Sequence, residues 1–164
     1  MTDSAAAPVE LPLHVPVSLR WADQDAYGHI NNASILRILE EARVRTFWDY
    51  GRPPGEGALL TVGVDRDTHT VVAEQRIQYL RVMPYYSAPI DVRLWISRVG
   101  GASFEVSYEI HPPEGQPSEG AFCRASATIV LLDAASGRPR SLRPEEREGL
   151  RLHLGEPIDF GKRR

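Results

Sequence analysis

Cysteine is almost absent from this chain: Cys123 is the only one among 164 residues. A single thiol excludes an intramolecular disulfide and a cysteine-built metal cluster within one chain, and it fits a reducing, cytoplasmic setting. Excess positive charge is lacking as well. A formal net charge of -3 leaves no broad cationic field to neutralise phosphates, which argues against a nucleic-acid partner. Long hydrophobic runs are also missing. The opening MTDSAAAPVELPLH has neither a basic start nor a continuous apolar core, and no later stretch is long enough to span a bilayer, so neither secretion nor membrane insertion is expected. The five histidines are scattered without ligand spacing, and no metal is expected.

What is present suits a soluble domain. A hydrophobic share of 42% and a charged share of 25% are those of an average globular protein, and the length suffices for one core. Small residues and prolines dominate Ser4 to Pro12, so residues 1–13 are read as a loose tail, 14–143 as the domain and 144–164 as a C-terminal extension. Val15, Val17, Leu19 and Trp21 alternate with polar residues as in a half-buried strand, and Pro16 assigns that strand to a sheet edge. Ala22 to Asn31 is rich in turn formers, ending at Asn31 or Asn32, either of which can cap a helix.

The spacing of Ile35, Ile38, Leu39 and Ala42 predicts a helix from about Asn32 to Tyr50, stopped by Gly51, Pro53 and Pro54. Leu36, Phe47 and Trp48 widen its apolar surface, as expected of a helix enclosed by a curved sheet. About five strands should follow. They are read at Leu60–Val64, Val71–Val82, Ile90–Ser97, Phe104–Ile110 and Gly120–Asp133, with turns at Gly100 and Gly101 and at Ser136 and Gly137. Arg143 to Leu154 is read as a short helix. With no alternation of strands and helices, the class is α+β, one antiparallel sheet around one helix.

The densest chemistry lies in Arg20-Trp21-Ala22-Asp23-Gln24-Asp25-Ala26-Tyr27-Gly28-His29-Ile30-Asn31-Asn32, followed on the helix by Glu40-Glu41-Ala42-Arg43. This stretch resembles the hydroxybenzoyl-CoA thioesterase family of hotdog enzymes, whose pattern is Arg-aromatic-x-Asp-x-Asp-x-x-Gly-His-hydrophobic-Asn-Asn and then Glu-x-Ala-Arg. Tyr79-Leu80-Arg81 and Ser136-Gly137-Arg138-Pro139 extend the likeness. The resemblance implies a hotdog fold, hydrolysis of an acyl-CoA thioester without a cofactor, and a catalytic carboxylate at Asp25. It also implies at least a homodimer, or a homotetramer, with strands pairing across subunits and residues of both chains lining the site.

Residue chemistry supports the Asp25 assignment independently. An aspartate in water titrates near pH 4, so at neutral pH it can attack a carbonyl or activate a water without a separate base; residue types leave these routes open. A helix N-terminus offers unpaired amides to the oxygen that becomes negative, and the Asn32 amide is the candidate donor. Asp23 is read as a turn-forming residue. Glu40 is the backup carboxylate, against the plainer reading of a surface ion pair with Arg43.

The loop residues Tyr27, Gly28, His29, Ile30 and Asn31 are expected around the substrate, with His29 bracing the loop and Gly28 permitting a tight turn. The phosphates of coenzyme A call for cations, for which Arg81, Arg98 and Arg124 are candidates, along with Ser103 beside the Gly100 turn. Departures from the family at Ile35 and Ile38 leave the acyl group open. Cys123, in a strand of small residues, is read as a buried hydrophobe. Two other activities use the same scaffold: noncatalytic acyl-CoA binding, and hydration or dehydration of an enoyl thioester.

Overall fold

The computed structural model describes residues 10–48, 59–60, 62–63 and 66–161. Five strands form one antiparallel sheet: β1 (Leu13–Val17), β2 (Thr68–Tyr79), β3 (Ile90–Val99), β4 (Ser103–His111) and β5 (Cys123–Asp133). Their spatial order is β1-β3-β4-β5-β2. Helix α1 (Asn32–Phe47) lies between β1 and β2 in sequence, and helix α2 (Pro144–Arg151) follows β5.

Alternation builds the core. Ile90, Val92, Leu94 and Ile96 of β3, Phe104, Val106, Tyr108 and Ile110 of β4, and Ala125, Ala127, Ile129 and Leu131 of β5 are buried together on one face. Ile35, Ile38, Leu39, Ala42 and Phe47 of α1 join the same cluster, with the Phe47 and Phe104 rings edge-on at 5.3 Å. The curved sheet and its helix form the expected α+β hotdog arrangement. Bulges at Val72/Glu74 and Ile96/Arg98 add local twist.

The two sheet edges differ. β1 is five residues long and carries Pro16, whereas β2 runs for twelve residues with neither proline nor lysine and leaves Val71 and Val72 exposed. β2 has its own charges at Glu74 and Arg76, past the bulge, so the stretch that presents apolar side chains is the one around Val71 and Val72.

Several expected boundaries move. The first strand stops at Val17, because its partner β3 begins opposite it at Ile90. Trp21 therefore lies in a short 3-10 turn (Trp21–Asp23), 76% exposed and edge-on to Tyr85. The expected strand at 60–64 is not formed among the described residues: Leu60 and Val62 are core side chains on irregular backbone, while Val64 lies outside the described residues. Among the described residues four strands follow α1, where about five were expected. The helix ends at Phe47, and the expected stop at Gly51, Pro53 and Pro54 also lies outside the described residues.

β2 starts earlier than the periodicity predicts, since β5 offers partners as far as Asp133, opposite Thr68. It ends at Tyr79, where the Leu80 and Arg81 amides turn to the Phe122 carbonyl. Beyond α2 the chain crosses the sheet's outer face. The Ile96 amide donates to the His153 carbonyl, Trp95 Nε1 to Glu156, and Arg124 Nη1 to Asp159. Arg76 of β2 then lies over the Phe160 ring at 4.2 Å.

Candidate active site

The site begins with the capping of α1. Asn31 is the N-cap, in extended backbone, and its side-chain oxygen accepts from the Ala33 amide at 2.8 Å. Asn32 is then the first helical residue. Its amide meets no protein acceptor among the described residues, as the first turn of a helix dictates.

The preceding loop is held by both aspartates, in different ways. Asp23 is buried; its carboxylate accepts from the Arg20 amide at 2.7 Å and from Arg20 Nη2 at 2.9 Å, and its carbonyl accepts from Asn31. Burial alone would raise its pKa, but the bonds and charge of Arg20 outweigh that and hold it below the usual carboxylate range. Asp23 thus has the structural part expected of it.

Asp25 uses one oxygen locally. Its Oδ1 accepts from the amides of Tyr27 at 2.8 Å and His29 at 3.1 Å, while Oδ2 has no hydrogen-bond partner among the described residues. The loop closes with the Asp25 amide on the His29 carbonyl, and Gly28 takes the positive φ of 76° that the turn needs.

A cavity of about 460 Å³ joins these groups. Asp25, His29, Asn31 and Asn32 supply its polar end, and Ile30, Ile35, Leu80, Val82 and Met83 its apolar wall, with Tyr79 and Arg81 at the β2 side. The sequence reading placed six of these at the site: Asp25, His29, Ile30, Asn31, Asn32 and Arg81. Tyr79, Leu80, Val82 and Met83 it did not, although the likeness at Tyr79-Leu80-Arg81 marked the segment.

The remaining candidates lie elsewhere. Tyr27 and Gly28 form the exposed loop tip beside the cavity. Glu40 is 3.8 Å from Arg43 as the plainer reading had it, and it borders a separate cavity with Arg20, Asp23 and Arg37. Arg98 and Ser103 flank the β3–β4 turn, where the Ser103 carbonyl accepts from Gly100, and within one chain they do not line the Asp25 cavity. Arg124 is on the outer sheet face beneath the C-terminal segment. Cys123 is buried, which pushes its thiol up to about 12.

A larger cavity of about 610 Å³ contains His14, Asp91, Arg93 and His111. Of its two carboxylates, Asp91 is already engaged, by His14 at 3.0 Å and Arg93 at 2.8 Å, and Glu114 is an exposed loop residue; no helix starts there to offer an amide. The smaller cavity is the one that pairs an available carboxylate oxygen with an unpaired amide. Among the described residues no three His, Cys, Asp or Glu side chains converge as a metal site.

The profile of the thioesterase-like superfamily matches residues 19–150. The chain belongs to this superfamily. The uncharacterized protein YsmA of Bacillus subtilis is 34% identical over 139 residues, covering 84% of this chain and 83% of YsmA. A thioesterase from Thermus thermophilus, solved with coenzyme A and Zn, is 28% identical with a TM-score of 0.63, over 88% of this chain and 96% of that one. PA5185 from Pseudomonas aeruginosa shares the fold at 22% identity and a TM-score of 0.69, over 87% and 91% of the two chains. Membership of the thioesterase-like superfamily supports thioester hydrolysis as the general activity, and the profile spans the loop, α1 and all of the sheet except β1.

Proposed function

We propose that this protein hydrolyses acyl-CoA thioesters to a carboxylic acid and coenzyme A, with Asp25 as the reacting carboxylate and the Asn32 amide as oxyanion donor. The observation that carries the reading is an Asp25 Oδ2 and a helix-start amide, both without a partner among the described residues, in one cavity with apolar lining residues. The Tyr27 and His29 amides fix the carboxylate through Oδ1 and leave Oδ2 for the reaction. As the thioester carbonyl is attacked, its oxygen gains charge that an unpaired amide stabilises more than it stabilises the ground state. The C–S bond then breaks and the thiol leaves. Attack by Asp25 itself, through an anhydride that water opens, and attack by a water that Asp25 deprotonates reach the same products. Ile30, Ile35, Leu80, Val82 and Met83 would receive the acyl group.

The working unit in this reading is a homodimer paired along β2. The length of this edge and its exposed Val71 and Val72 support it, with the charges of Glu74 and Arg76 confined to the part beyond the bulge. β2 has its Tyr79 end at the Asp25 cavity, and its Thr68 end at the end of the sheet that carries the Gly100 turn. Antiparallel pairing of two such edges brings the turn end of one copy toward the Asp25 end of the other. Arg98 and Ser103 would then serve the partner's substrate. The solved relative that holds coenzyme A supports the choice of carrier.

Thiol release from a panel of acyl-CoAs tests the proposal. Asp25→Asn keeps an oxygen for the Tyr27 and His29 amides but loses the charge, and should lower kcat/KM by about 100-fold or more. Full activity in that variant would remove Asp25 from the mechanism. Tight acyl-CoA binding by the wild type without thiol release would instead make this a binding protein.

A further inference from the structure

Arg81 borders the cavity, and a cation there invites assignment to the phosphates of coenzyme A. Its surroundings argue otherwise. The Nε–H donates to the Ala121 carbonyl at 3.5 Å, and Nη2 donates to the Gly120 carbonyl. These two groups form the edge of the guanidinium fork that would grip a phosphate in bidentate fashion. Nη1 faces Glu119 Oε2 at 3.4 Å, a negative charge where a phosphate would have to enter. The guanidinium plane lies over the Phe122 ring, 4.7 Å from its centroid.

The Arg81 main chain holds the same segment. Its amide and that of Leu80 both donate to the Phe122 carbonyl, at 3.1 and 2.8 Å. Gly120, whose carbonyl Arg81 holds, has φ of 99°, a conformation that favours glycine. Residues 80–83 are thereby tied to residues 119–122. From there the link reaches the catalytic loop: the Ile30 amide donates to the Met83 carbonyl at 2.9 Å, and His29 bridges to Pro84. The His29 amide is one of the two that fix Asp25 Oδ1.

We propose that Arg81 is a positioning residue: it clamps the 119–122 segment to the 80–83 segment, and through Met83 and Pro84 it holds the loop that aims Asp25. The proposal rests on the hydrolase reading of that loop. Binding the phosphates then falls to other cations. Lysine separates the two roles, because an ammonium can meet a phosphate as a point charge but cannot replace a planar fork that spans two neighbouring carbonyls and stacks on a ring.

The experiment compares wild type, Arg81→Lys and Arg81→Gln on an acyl-CoA and on the matching acyl-pantetheine, which carries no phosphate. Hydrogen exchange of the Ile30 amide is followed in the same proteins. The clamp predicts that both variants lose kcat by about tenfold to a hundredfold, since small displacements of a reacting group are costly. The loss should be equal on the two substrates, with KM for acyl-CoA little changed and Ile30 exchange faster. Retained activity in Arg81→Lys, or a defect confined to KM for acyl-CoA, would make Arg81 a phosphate contact and overturn the proposal. If the wild type cleaved neither thioester, the hydrolase reading would fall by itself. The exchange result would still decide the clamp: faster Ile30 exchange in both variants supports it, and unchanged exchange overturns it.

Discussion

Asp23 and Asp25 stand two positions apart and have opposite surroundings. Asp23 spends both carboxylate oxygens on Arg20, whereas Asp25 keeps one oxygen without a partner among the described residues. The difference has a pH signature. The pKa of Asp23 is lowered in the folded protein, so its stabilisation is present above the unfolded value near pH 4 and is lost as pH falls through the lower folded value. Asp23→Asn should therefore cost about 1–3 kcal/mol in urea unfolding at pH 7, and less at pH 3. An equal cost at both pH values would mean that packing, not charge, is what Asp23 contributes. From sequence, the choice between the two carboxylates rested on the family pattern and on the turn chemistry of aspartate. Residue type could not have made it: the short turn at Trp21–Asp23 sets Asp23 on Arg20, three residues back, and leaves Asp25 beyond it.

At the scale of elements, α1 was legible because its apolar positions repeat and Asn31 is a strong cap. β3 and β4 were legible for the same kind of reason, a strict alternation on one buried face. The segment after α2 was not. Residues 152–161 show no period, and their hold on the sheet comes largely from main-chain groups, the carbonyls of His153, Glu156 and Asp159. Gly155 lies tight against the sheet: a Cβ there would stand 2.7 Å from Trp95 Cδ1. Gly155→Val should force the segment off the indole and destabilise the fold by about 1–3 kcal/mol. The checks are urea unfolding and the exchange rate of the Ile96 amide, which should rise as its bond to His153 is lost. If both stay at wild-type values, the segment tolerates the side chain and does not brace the sheet.

The sheet has one short edge that carries a proline and one long edge with an exposed valine pair, and the proposed dimer depends on the long one. Val72→Lys places a charge on the exposed part of β2, where natural edges carry one to prevent pairing. The wild type should sediment as at least a dimer, and the variant as a smaller species with reduced thiol release. If the variant sedimented like the wild type, pairing along β2 would be wrong. Charge composition bears on partners at this scale, since a net charge of -3 provides no cationic field for nucleic acid. No described helix is long and apolar enough to cross a membrane.

The amino-acid sequence by itself determined the class of fold and the apolar face of α1, because these are written in local periodicity, and it marked the stretch from Arg20 to Asn32 through its likeness to a known family while leaving Asn31 and Asn32 both open as the cap. Tertiary structure decided what each charged side chain faces. It gave Arg81 to the carbonyls of residues 120 and 121, and it separated Arg98, Ser103 and Arg124 from the cavity within one chain. The reason is physical: a long side chain reaches partners set by the packing of distant strands, and neither its type nor its neighbours in sequence specify which of them it meets.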